Sequence, residues 1–146
     1  MRPLNSNYYP MIRTLLSILF VSAVVLACSK KEAPSDEWPG LDTYHMVMAE
    51  AYHPMRDSAN LAPAKANAED LALEAENWEK GALPDKVDND EVKGLLAQLK
   101  TDSRAFADQV KSNVPDSVLS SSLENLHEEF HKIMEAWHGG GEKHEH

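Results

Sequence analysis

The sequence predicts an all-α protein, an up-down-up-down four-helix bundle that follows a hydrophobic leader and a short tether. Four segments carry apolar residues at three- and four-residue spacing, which is the periodicity of an amphipathic helix. Short turns containing Gly, Pro or Asn separate these segments, and no segment shows the apolar-polar alternation of a strand. Long helices joined by short loops favour antiparallel neighbours, so the first and fourth helices are expected to pack side by side.

The leader covers residues 1–27 and has the pattern of a secretory signal peptide. A basic start at Arg13 precedes an apolar run over residues 15–27, which is shorter than the roughly 20 residues that a membrane span needs. The run ends in Val-Leu-Ala-Cys28, which resembles the lipobox of bacterial lipoproteins. That resemblance implies cleavage before Cys28, lipidation of its thiol and a membrane anchor, most simply in an outer membrane facing the periplasm. A plain signal peptide or a membrane anchor with an incidental cysteine is the alternative, and either Met1 or Met11 could be the start.

The chain from Cys28 onward is strongly acidic, with 12 basic and 24 acidic residues. This charge argues against nucleic acid as a partner and is compatible with binding cations. Cys28 is the only cysteine, so the fold has no internal disulfide and no haem attached through a C-x-x-C-H motif. Residues 28–40 are predicted to be a flexible tether, residues 41–138 the helical domain and residues 139–146 a flexible tail with two histidines.

The first two predicted helices cover residues 41–58 and 63–80. Pro54 lies inside the first helix and should kink or end it. Pro63 suits the first position of the second helix, whose core stripe is rich in alanine.

The third helix is expected to begin at Asp88, with Glu91 completing a capping box. The fourth helix should end at His138, with Gly139 supplying a left-handed residue. Its apolar stripe comprises Leu119, Leu123, Leu126, Phe130, Ile133, Met134 and Trp137.

Histidines and methionines are concentrated on the first and fourth helices, and the second and third helices have no histidine. The histidines of the chain are His45, His53, His127, His131, His138, His144 and His146. Imidazole with thioether suits copper, and imidazole with carboxylate suits zinc, nickel or iron. We therefore predict one site for a transition metal ion, copper or zinc, built from His127, His131 and one of His45 or His53, with Met134 nearby.

Spacing decides which of these ligands can act together. His127 and His131 are one turn apart, about 6 Å along the helix axis, and can chelate one ion. If Leu41 lies level with His138, antiparallel packing places His53 near His127 and His45 near Met134. The competing interpretation is that each histidine and methionine packs or forms hydrogen bonds in an ordinary helical core.

An acid precedes each helical histidine by three residues, as Glu124 precedes His127 and Glu128 precedes His131. These acids could orient the rings or could be solvated surface neighbours.

Two other functions stay open at this stage. The layout of four helices resembles the soluble four-helix cytochromes of the b type, and this resemblance implies haem bound by His131 with Met48 or His45. The chain could also be a bundle whose role is to bind another envelope protein. No nucleophile elbow, phosphate loop or catalytic cysteine is present, so we predict that the protein is not an enzyme.

Overall fold

The computed structural model of the chain describes residues 37–139, which form five α-helices. The predicted signal peptide, Cys28, most of the predicted tether and the tail from residue 140 lie outside the described residues. The helices are α1 (Pro39–Ser58), α2 (Ala62–Ala66), α3 (Ala68–Lys80), α4 (Asp90–Lys111) and α5 (Asp116–Gly139), with a short 3-10 turn at Asp85–Val87 before α4. The described residues contain no strand, which confirms the all-α prediction.

The four long helices pack in a closed order: α1 lies between α3 and α5, and α4 completes the set by contacting both α3 and α5. Rings that come later in α1 contact rings that come earlier in α5. The contacts are Trp38 with Trp137, His45 with Phe130 and Tyr52 with His127. These two helices are therefore antiparallel. No helix within residues 37–139 combines the length and the apolar composition that crossing a bilayer requires.

The core at one end of the domain is aromatic. The ring of Trp38 lies 5.0 Å from that of Trp78 and 5.5 Å from that of Trp137. Tyr44 and Phe130 continue the cluster toward the middle of the domain. Trp38 is only 3% exposed and α1 begins at Pro39, so the folded domain starts before the predicted boundary at Leu41. Trp38 belongs to the core and not to the tether because its ring fills the space between α3 and α5.

One hydrogen bond crosses the core from α1 to α4. The hydroxyl of Tyr44 lies 3.0 Å from that of Ser103, and both side chains are fully buried. Burial raises the pKa of the Tyr44 hydroxyl, so it stays protonated and can donate. This bond explains why a serine occupies the apolar stripe of α4.

Pro54 neither ends nor breaks α1, which continues to Ser58. A proline removes one backbone donor, but the helix runs only four residues further and Met55, 8% exposed, anchors this last turn in the core. The helix then ends at Ala59, whose left-handed backbone (φ 53°) directs its N–H to the carbonyl of Met55. His53 therefore remains on a helical surface.

The second predicted helix is divided at Asn67 into α2 and α3. The side-chain Nδ2 of Asn67 donates to the carbonyl of Pro63 at 3.0 Å, and its backbone N–H donates to the same oxygen. A short amide side chain of this kind competes with the regular helical hydrogen bonds and favours a local end.

Two predicted helix ends differ from the observed ones. Helix α4 begins at Asp90, and the side chain of Asn89 caps it by accepting from the N–H of Val92 at 2.9 Å. The prediction that Asp88 caps this helix is therefore wrong, and the carboxylate of Asp88 forms an ion pair with Lys93. Gly139 is the last residue of α5, and no described glycine has a positive φ, so the predicted left-handed ending is also wrong.

Gly40 packs directly beneath the ring of Trp78, which leads to a stability prediction. A Cβ atom at position 40 would overlap Cδ1 of that ring and come within 2.7 Å of its Nε1. Gly40→Ala should therefore lower the free energy of unfolding by about 1–3 kcal/mol, as overpacking does.

The matched control is Gly94→Ala on α4, where a Cβ would meet nothing within 4 Å. That change should raise stability by about 0.5–1 kcal/mol because glycine costs chain entropy inside a helix. Urea denaturation of both variants measures the two changes. Equal effects at the two positions would contradict the packing of Trp78 against α1.

Candidate metal site on α5

The imidazoles of His127 and His131 meet on the surface of α5 that faces α1. Their Nε2 atoms lie 3.1 Å apart, and the rings are 4.4 Å apart at 73° to each other. Both side chains are half-buried. The four-residue spacing places them on one helix face, one turn apart. The structure therefore places the two predicted histidines side by side, with the Nε2 atom of each ring close to that of the other.

His127 is expected to be uncharged at neutral pH. Burial, then the neighbouring His131, His53 and Arg56, together lower the pKa of His127 to about 4. A neutral ring keeps a lone pair on one nitrogen, which is the form that binds metal ions. The short distance between the Nε2 atoms indicates that one ring donates a proton to the other, and a metal ion could replace that proton.

Helix α1 contributes Tyr52 and His53 to this region. The ring of Tyr52 stacks on that of His127, with centroids 3.7 Å apart and planes 8° apart. The ring of His53 is exposed and meets Tyr52 edge-on at 6.4 Å. His53 is near enough to His127 to influence its pKa.

The other predicted ligands lie in different surroundings. His45 is exposed and stacks on Phe130 at 5.3 Å. Met134 is half-buried and packs against the core, and His138 is exposed at the end of α5. Within residues 37–139, no three His, Cys, Asp or Glu side chains are grouped so that they could hold a metal ion. The structure thus brings together two of the predicted ligands.

The acidic residues that precede His127 and His131 form no hydrogen bond with the Nε2 atoms of these histidines. Nε2 of His127 bonds to His131 and not to Glu124, which is exposed together with Glu128. The interpretation of these acids as solvated neighbours therefore fits the geometry better than an orienting role.

The interior between α1 and α5 offers little space for the predicted haem. Met48, one proposed axial ligand, is 1% exposed and belongs to the core. The rings of Tyr44 and Phe130 pack 5.8 Å apart in the same interface. Any haem bound by Met48 would therefore lie in this packed interior, whereas a bare ion on the histidine pair would lie at its surface.

A second polar feature lies on the opposite side of α5, in a groove of about 240 Å³ against α4. Burial, then the neighbouring carboxyl of Asp102, raises the pKa of Glu129 to about 7. Oε2 of Glu129 and Oε1 of Gln109 are both inaccessible and lack a hydrogen-bond partner among the described residues. Sequence reasoning did not find this groove, although Asp102, Gln109 and Glu129 all flank apolar stripes.

The groove predicts a pH dependence of stability. The pKa of Glu129 in the folded protein is above its usual value of 4.5. The stability that its protonated carboxyl contributes to the fold is therefore fully present below pH 4.5 and is lost as the pH rises through about 7. Glu129→Gln, which cannot ionise, should become more stable relative to the wild type as the pH is raised from 4.5 to 8. Urea denaturation at several pH values measures this difference. The exposed Glu124→Gln is the control, and a difference that stays flat for Glu129→Gln would contradict a raised pKa of Glu129.

Comparison of the chain with protein-family models, with curated proteins and with solved structures found no match. The function is therefore argued from the geometry of residues 37–139 and from the sequence.

Proposed function

We propose that this protein is a cell-envelope lipoprotein that binds one divalent transition metal ion, zinc or copper, through Nε2 of His127 and His131. The observation that carries the proposal is the 3.1 Å separation of these two nitrogens at a half-exposed position. The function is metal handling or sensing and not catalysis. The four long helices act as an up-down-up-down four-helix bundle that holds the two rings on a rigid surface.

The distance between the nitrogens selects a coordination geometry. With metal–nitrogen bonds of 2.0–2.1 Å, a separation of 3.1 Å corresponds to an N–metal–N angle of about 100°. This angle lies between the 90° of square-planar or octahedral sites and the 109° of tetrahedral sites. Zn²⁺ and Cu²⁺ adopt these geometries. A linear two-coordinate ion would need nitrogens about 4 Å apart, given the same bond lengths, so the pair does not suit it.

The remaining coordination positions are open to solvent or to a third side chain. We propose that His53 supplies that ligand, since its ring is exposed, can rotate, and lies near enough to lower the pKa of His127. A site with two firm ligands and a weaker third can exchange its ion, which suits transfer or sensing. Tight structural zinc sites, in contrast, have four protein ligands.

The proposed location rests on the sequence of residues 11–28. A basic start, a short apolar run and Val-Leu-Ala-Cys28 together support export and lipidation. The acidic chain that follows supports attraction of cations at the membrane surface.

Titration of the purified full-length protein with Zn²⁺ tests the proposal, followed by calorimetry or a competing indicator. His144 and His146 are replaced with alanine in the reference protein so that the tail cannot contribute. We expect one ion per chain. His53→Ala in this background should weaken binding by about tenfold or more, since removing even a group that only supports a ligand costs 10–100-fold. Loss of all binding once the tail histidines are replaced would contradict the proposal.

A further inference from the structure

Tyr52 makes the closest ring contact of the domain, and its partner is a proposed metal ligand. Of the ring pairs found within residues 37–139, Tyr52 and His127 have the shortest centroid distance, 3.7 Å, and the smallest interplanar angle, 8°. The tyrosine comes from α1 and the histidine from α5, so this contact joins two helices. Unlike the buried Tyr44, Tyr52 is only half-buried and lies at the rim of the core.

A parallel stack restricts how the imidazole can turn. An imidazole on a helix surface normally rotates about its Cβ–Cγ bond over a broad range. With the flat face of Tyr52 against it, His127 can rotate only by losing this contact or colliding with the phenol ring. In the stacked orientation Nε2 of His127 is directed at Nε2 of His131, 3.1 Å away.

His131 is oriented by a different neighbour. Its ring meets that of Phe130 edge-on, with centroids 6.0 Å apart and planes at 68°. His131 therefore takes its position from its own helix, whereas His127 depends on α1. The alignment of the two nitrogens then depends on one residue of α1.

We propose that Tyr52 is a positioning residue of the metal site, whose ring holds the imidazole of His127 in the orientation that binds the ion with His131. This inference rests on the proposed function. A ligand that is already fixed loses less rotational freedom on binding, and one immobilised side chain changes affinity by roughly three- to tenfold. The lone pair of Nε2 lies in the plane of the imidazole, so the stacked phenol ring leaves the ion's approach open.

Zn²⁺ affinities of Tyr52→Leu and Tyr52→Phe, measured in the full-length protein without the tail histidines, test the proposal. The phenylalanine keeps the flat ring and should bind within about twofold of the reference, whereas the leucine should bind roughly three- to tenfold more weakly. Val47→Ala is the control because Val47, like Tyr52, is a partly buried side chain of α1 that packs against the core. Val47→Ala removes packing between α1 and the core and should leave affinity unchanged. Reference-like binding by Tyr52→Leu, or an equal loss in Val47→Ala, would overturn the positioning role.

A second measurement on the metal-free proteins separates this inference from the proposed function. Cross-peaks between the His127 and His131 rings in NMR spectra report their alignment without any ion. They should persist in Tyr52→Phe and disappear in Tyr52→Leu. If the reference protein binds no Zn²⁺, the proposed function fails, and retained cross-peaks in Tyr52→Leu would then overturn the positioning role as well. If Tyr52→Leu does not fold by circular dichroism, Tyr52→Met replaces it in both measurements.

Discussion

Replacing both His127 and His131 with alanine is expected to abolish stoichiometric Zn²⁺ binding. Each change removes a nitrogen that contacts the ion. Removing groups that only support a ligand already costs 10–100-fold, so the loss should be on the order of 100-fold or more. The fold should survive because both side chains are half-buried at the edge of the core. Calorimetry measures the affinity, and thermal unfolding in excess Zn²⁺ should no longer show the stabilisation expected for a bound ligand.

The control for this experiment is the double variant His45→Ala with His138→Ala, which removes the same number of imidazoles, one from α1 and one from α5. Both of these side chains are exposed, and His45 stacks on Phe130 instead of facing the pair. The control should bind Zn²⁺ as the reference protein does. Equal losses in the two double variants would show that histidine number, and not the paired geometry, determines binding.

Phe130→Ala should produce the largest loss of stability among changes near the site, about 3–5 kcal/mol in the free energy of unfolding. Phe130 is 2% exposed, and its ring contacts those of Tyr44 and Trp78 across the core. The same ring supports His45 and His131 on the surface. Truncation therefore opens a cavity in the aromatic cluster that three helices share.

Val118→Ala on the same helix is the matched control, because Val118 is 41% exposed. Its effect should stay within about 0.5 kcal/mol. Urea denaturation of both variants measures the difference. A loss below about 1 kcal/mol for Phe130→Ala would contradict the packing of the aromatic cluster, since removing a buried phenylalanine ring normally lowers the free energy of unfolding by more than this.

Apolar spacing predicted the long helices because burial requires it, and α1, α4 and α5 lie within a few residues of their predicted positions. Helix ends depend on which local side chain satisfies the free backbone groups, and several candidates often lie close together. Asn89 caps α4 although Asp88 is also suitable by residue type. Asn67 divides a helix whose apolar pattern is continuous.

The pairing of His127 with His131 could be predicted because it depends only on the pitch of one helix. The partners from α1 depend on the register between two helices, which the pattern does not determine. The sequence argument set Leu41 level with His138, and the stack of Tyr52 on His127 fits that register. The contacts of Trp38 with Trp137 and of His45 with Phe130 lie about one turn away from it.

Tyr52 illustrates the limit of the sequence pattern in a different way. Tyr52 lies at helical spacing from Met48 and Met55, a pattern typical of side chains that face the other helices. Which ring it would meet depends on the register and on side-chain rotamers. The stack on His127 therefore became visible only in the structure.

The most direct test of the metal site is a ¹⁵N NMR spectrum of the histidine rings recorded during a Zn²⁺ titration of the full-length protein. The paired geometry predicts that the Nε2 signals of His127 and His131 shift together and reach their end point at one equivalent of Zn²⁺. Signals of His45 and His138 should stay in place throughout. Shifts confined to His144 and His146, with His127 and His131 unchanged, would contradict a metal site on α5.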